Sequence, residues 1–135
     1  MRTLAFTNDT FNKELRQTAQ AEKYPELARF LEFGSANGYV AVPPEHPYYG
    51  RDYADGDICE LSVHGGITFA AKYGIRKRYG WEIQKLNNDV EPQDDWWVFG
   101  FDTLHYGDNA VNWSIDKVEA ETLRLQEQLE AIWQQ

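Results

Sequence analysis

Cysteine is nearly absent. Cys59 is the only one in 135 residues, which excludes a disulfide within the chain and makes a reducing compartment the expected setting. It lies in the alternating run DICELSV, a context that predicts a buried structural thiol rather than a nucleophile. Long apolar runs are missing too, as is a charged-then-apolar leader, so the expectation is a cytoplasmic protein that neither spans a membrane nor follows a standard secretion signal. Basic charge is scarce: 13 Lys and Arg stand against 22 Asp and Glu, a formal net charge of -9. Affinity for phosphate backbones is built from clustered cations, so non-specific nucleic-acid binding is excluded. The one basic cluster, KYGIRKRYG at Lys72 to Gly80, reads as a solvated turn between strands. Neither a glycine-rich phosphate loop nor a Gly-x-Ser-x-Gly elbow occurs, and there is no internal repeat or low-complexity tract.

Aromatic residues are abundant by contrast. Five Trp, eight Tyr and seven Phe supply a core and leave ring faces over. The length is that of one domain, residues 1–135, able to bury roughly two thirds of its unfolded surface. Helical spacing begins at Asp9 or Thr10, either a suitable N-cap, with Phe11, Leu15 and Thr18 to Ala19 three and four apart. A second helical segment, PELARFLEFG, starts at Pro25 and ends at Gly34. The period then changes to two. YVAVP, ICELSV, ITFAAKY, GWEIQKL and WWVFGFDT read as strands, with a hairpin or sharp kink at His64-Gly65-Gly66 and a bulge or close approach at Gly100. EHPYYGRDYADGD and NNDVEPQDD between them are loops. From Ser114 or Asp116 onward, Val118, Leu125, Leu129 and Ile132 form the stripe of an amphipathic helix that covers the sheet, or that joins two copies as a homodimer. The order predicts an α+β fold: N-terminal helical segments, a central antiparallel sheet of about four to five strands, and a C-terminal helix packed on it.

The chain has three histidines, and all of them fall in glycine-marked segments. Asp102, His105 and Asp108 follow the strand WWVFGF at intervals of three, and Gly107 lets the turn fold back so that their side chains converge. His64 joins them if the strands bearing VHGG and GFD are neighbours, and His46 lies on the tyrosine-rich loop. Three chemistries use such a set. Imidazole with carboxylate suits a divalent metal, with His64, Asp102, His105 and Asp108 as ligands, although the spacing matches no established metal signature. Metal-free acid/base work would use His105 or His64 oriented by Asp102 or Asp108. A binding pocket would anchor a ligand on His46, His64, Asp102, His105 and Asp108, with rings of Tyr48, Tyr49, Tyr53 and Tyr106, together with Trp96, Trp97 and Trp113, as walls. The same histidines and aspartates also serve simply to fasten turns.

The ordered motifs NGYVAVPPEHPYYGRDY, VHGGITFA and WWVFGFDTLHYGDN, followed by a terminal helix, resemble a group of small proteins encoded by bacteriophages and prophages. The resemblance covers Gly38 to Asn109 and the tail, and rests on Gly38, Tyr39, Val40, His46, Pro47, Gly50, Tyr53, His64, Gly65, Gly66, Thr68, Gly100, Phe101, Asp102, His105, Gly107 and Asp108. Where similar proteins can show Cys-Ala-His-Ala-Gly-Asp, this chain has Thr103-Leu104-His105-Tyr106-Gly107-Asp108, which puts a cysteine-based role for that loop in doubt. The resemblance implies an accessory protein of the host-cell cytoplasm that acts by binding a small molecule, a nucleotide or a host defence protein. A metal-dependent hydrolase using the His/Asp cluster is the alternative. A further one is an acidic inhibitor that covers a basic groove of a host protein, with the histidines purely structural.

Overall fold

The computed structural model describes residues 2–9, 34–78, 82–109 and 111–133. In chain order the elements are β1 (Leu4–Asp9), β2 (Ala36–Val42), α1 (Gly56–Cys59), β3 (Phe69–Lys72), α2 (Tyr73–Lys77), β4 (Gln84–Lys85), β5 (Trp97–Phe101) and α3 (Ile115–Trp133). The strands form one sheet in the order β3-β5-β2-β1-β4, and every neighbouring pair is antiparallel. The fold is α+β, as the order of periodicities predicts.

Alternation along the strands sorts the core onto two faces. Ala5, Val40, Val42, Phe99 and Phe101 point to the face covered by α3, where they meet its stripe of Val118, Leu125 and Leu129. Leu4, Phe6, Tyr39, Ala41 and Val98 point to the other face and pack with Tyr73 from α2. Val118, Leu125 and Leu129 are fully buried, so the apolar stripe of α3 is spent on its own sheet. Two polar pins lie in the core. Buried Gln126 donates to the Thr3 carbonyl at 3.0 Å and accepts from Asn87 at 2.8 Å. Thr103, just past β5, donates its hydroxyl to the Ala36 carbonyl at 2.7 Å. Pairing buried polar groups in this way avoids the desolvation cost of leaving them unmade.

Four readings of the sequence change. The chain enters the sheet at once through β1, whose Leu4 and Phe6 face away from Ala5 and Thr7; the helical segments expected between Thr10 and Phe33 lie outside the described residues. ICELSV is not a strand. Ile58 and Leu61 are both buried, a spacing of three that fits the helical turn α1 and the Leu61 N–H to Ile58 carbonyl bond that follows it. His64-Gly65-Gly66 therefore sits in a loop leading into β3, not in a hairpin. Cys59, expected to be buried, is exposed on α1, because alternation would have turned it inward and a helical turn does not.

The two close approaches in the sheet are made at glycines. A Cβ on Gly38 would lie 2.0 Å from Thr122 Oγ1 and 2.4 Å from the Phe101 ring, and one on Gly100 would lie 2.3 Å from the Tyr39 ring across the β2–β5 ladder. Gly38 thus sets how closely α3 approaches β2. Gly38→Ala would force the helix and the Phe101 ring apart, and chemical denaturation should show a loss of about 1–3 kcal/mol.

Candidate metal centre

Antiparallel pairing of β3 with β5 is what builds the site. The register sets Phe69 opposite Gly100, and the Thr68 N–H donates to the Gly100 carbonyl at 2.9 Å. The loop before β3 therefore lies beside the loop after β5. Both close with a turn of the same kind: the Gly66 N–H bonds the Val63 carbonyl at 3.0 Å, and the Asp108 N–H bonds the His105 carbonyl at 2.9 Å. The third positions, Gly65 and Gly107, have φ of 71° and 92°, conformations that glycine adopts without steric penalty.

Asp108 is the centre of the cluster, with 5% of its side chain exposed. One carboxylate oxygen lies 2.8 Å from His64 Nε2. The other accepts the backbone N–H of His105 at 2.9 Å and lies 3.2 Å from its ring Nδ1. One ligand atom each from His64, His105 and Asp108 lies within 4.8 Å of the others. The imidazoles are at right angles, with centroids 5.3 Å apart, and remain 24% and 36% exposed at His64 and His105. The cluster thus opens to solvent on the imidazole side and is closed behind Asp108.

Neighbouring groups hold each ring. His64 stacks on Trp113 with centroids 4.1 Å apart, and its backbone N–H donates to Glu121 on α3 at 2.9 Å. Burial by itself would raise Glu121, but the Arg124 guanidinium and the His64 N–H outweigh it and hold this carboxyl below the usual carboxylate range. His105 lies so close over Gly65 that a Cβ there would sit 2.4 Å from the ring. Asp102 Oδ1 is 3.4 Å from His105 Nδ1, and the Asp102 carboxylate is itself fixed by Thr68 Oγ1 at 2.9 Å and the Leu104 N–H at 3.0 Å. Asp102 thus places a second carboxylate beside His105 from outside the three-residue set.

The separations suit a metal ion. Nitrogen and oxygen ligands about 2.0–2.1 Å from a tetrahedral ion are roughly 3.3 Å from one another. His105 Nδ1 and His64 Nε2 stand 3.2 and 2.8 Å from different oxygens of Asp108, and all three ligand atoms lie within 4.8 Å of one another, so the groups would draw together to hold a tetrahedral ion. Two imidazoles and a carboxylate without sulfur suit Zn, Fe, Ni or Mn and leave a coordination position open.

Of the nine residues expected at the site, His64, Asp102, His105 and Asp108 come together. The others do not. His46 is 3% exposed and uses both nitrogens within the chain: Nε2–H donates to the Leu129 carbonyl at 2.8 Å, and Nδ1 accepts the Tyr48 N–H at 2.9 Å. Leu129 lies roughly 12 Å along α3 from Glu121, which marks the His64 end. Tyr48 packs on His46, and Tyr49 packs against Trp97 while its hydroxyl donates to the Asp95 carbonyl. Tyr53 and Tyr106 project into solvent. The aromatic wall comes instead from Trp113. Glu121 was not anticipated from the sequence, since it sits among the polar residues of a helix whose apolar stripe dominates the pattern.

His46 carries a pH prediction. Burial lowers its pKa below the ordinary 6.5, and protonating Nδ1 would set two donors against each other at Tyr48. Because the folded state resists a proton that the unfolded chain accepts, this contribution to stability is complete above about pH 6.5 and is lost as pH falls through the lower folded value. Urea midpoints measured from pH 7.5 down to 5 should therefore fall more steeply for the wild type than for His46→Gln. Comparison with protein-family models, curated proteins and solved structures gives no match to this chain, so the function has to be argued from this site.

Proposed function

We propose that the protein is a small binding protein built around one divalent transition-metal ion, held by His64 Nε2, His105 Nδ1 and a carboxylate oxygen of Asp108. The observation that carries this reading is the convergence of three ligand atoms within 4.8 Å at a site that buries its carboxylate and leaves its imidazoles partly open. A carboxylate taken out of water needs a cation or several donors around it. Asp102, Asp108 and Glu121 make the surroundings favourable to positive charge. Neutral imidazole is a borderline ligand, which selects Zn or Ni over the hard ions Mg and Ca.

The open position on the ion is where a partner's oxygen or nitrogen would bind. The motif resemblance supports a setting for this: a phage or prophage accessory protein of the host cytoplasm, taking a small molecule, a nucleotide or a side chain of a host protein. Asp102 favours a second, hydrolytic reading. Its carboxylate, partly exposed and 3.4 Å from His105 Nδ1, would serve as the proton acceptor if a bound ion supplied Lewis-acid chemistry.

Calorimetric titration of tag-free protein tests the site. Zinc should bind at one equivalent per chain, Mg should not compete, and His105→Ala and Asp108→Asn should each weaken zinc at least tenfold. Zinc at about a hundred times its Kd should add roughly 2.7 kcal/mol to stability. Absence of saturable binding, or unchanged binding in both variants, contradicts the proposal. Ester hydrolysis that follows zinc occupancy and is lost in Asp102→Asn would select the hydrolytic reading.

A further inference from the structure

A second concave site lies at the far end of α3, roughly 18 Å along the helix from Glu121. It is a cleft of ≈ 780 Å³ between the 43–45 corner, the 88–96 segment and Trp133. Among the described residues, three carboxylates line it, those of Glu45, Glu91 and Asp95, together with the rings of Trp96 and Trp133 and a single cation, Arg2. Neither Glu45 nor Asp95 has an ion-pair partner among the described residues. Among the described residues Glu91 accepts the Tyr73 hydroxyl through one oxygen, at 2.6 Å, which leaves its other oxygen for another donor.

Arg2 demonstrates the chemistry of the cleft. Its guanidinium carbon lies 3.7 Å from the centroid of the Trp133 ring, the stacked arrangement in which arginine is attracted to an aromatic face. Trp96 presents a partly buried indole in the same cleft, and no cation accompanies it among the described residues. The walls are held firmly. His46 bonds the Leu129 carbonyl and packs edge-on against Trp133 at 5.2 Å, which ties the 43–48 corner to the end of the helix. Burying His46 therefore shapes this cleft rather than the metal centre.

We propose that this cleft binds an arginine-bearing segment of a partner protein. One guanidinium stacks on Trp96 and donates to Glu91, and the rim carboxylates of Glu45 and Asp95 take a second cationic side chain. The volume lies within the range of pockets that enclose a small ligand, so it accommodates a few side chains and not a folded surface. The net charge of -9 speeds encounter with a basic partner and makes the association sensitive to salt. Nothing in this proposal depends on the metal centre.

Fluorescence anisotropy with a labelled hexapeptide carrying three arginines tests it, using the full chain with and without zinc. Binding should saturate, weaken as salt rises from 50 to 300 mM, and be the same in both zinc states. Replacing the arginines with citrulline, which keeps the shape and removes the charge, should weaken it at least tenfold, and a lysine peptide should bind less tightly than the arginine one. The double variant Glu45→Lys/Asp95→Lys changes only exposed side chains and should lose at least tenfold with its circular dichroism unchanged. No saturable binding, equal affinity for the citrulline peptide, or undiminished affinity in the folded double variant would each overturn the proposal.

Discussion

The candidate site depends on one nearly buried carboxylate. A carboxyl taken out of water needs polar partners, and Asp108 finds them on two different loops: the imidazole of His64 before β3, and the backbone and ring of His105 after β5. Without Asp108 the two turns would share a sheet edge but no common centre. With it, two rings at right angles meet one carboxylate. The groups that fasten the loops to one another are those a metal ion would take over.

The sheet makes this economical. β5 is paired on both sides, by β2 and by β3, and Val98, Phe99 and Phe101 are fully buried or nearly so. Its end is therefore a fixed platform, and Asp102, His105 and Asp108 leave it through a short turn that Thr103 anchors to the start of β2. α3 closes the arrangement twice over. Near its start Glu121 holds the His64 backbone, and near its finish the Leu129 carbonyl holds His46. One helix thereby positions both the His/Asp cluster and the acidic cleft.

Much of this was legible in the sequence. The short apolar runs YVAV and WVFGF marked the central strands, the stripe of Val118, Leu125 and Leu129 marked the covering helix, and Gly100 marked a bulge or close approach, now seen against Tyr39. The convergence of His64 with Asp102, His105 and Asp108 followed from a stated condition, that the strands bearing VHGG and GFD be neighbours, and the β3–β5 pairing meets it. Other features were hidden for physical reasons. ICELSV alternates, yet its apolar pair Ile58 and Leu61 is also at helical spacing, and short runs with both periods are settled by tertiary packing. His46 looks like a site histidine by composition, but pattern cannot reveal that a carbonyl at the end of a distant helix will satisfy its ring. Glu121 gave no signal because a carboxylate on the polar face of a helix is ordinary.

The central claim is that His64 and His105, and not His46, form one centre around Asp108. Long-range proton–nitrogen correlation on ¹⁵N-labelled protein observes each imidazole nitrogen separately and follows all three histidines as zinc is added. The account predicts that His64 Nε2 and His105 Nδ1 shift together and saturate at one equivalent, while both nitrogens of His46 stay where they were. Joint movement of His46 with the others, or no saturating response from His64 and His105, would contradict it.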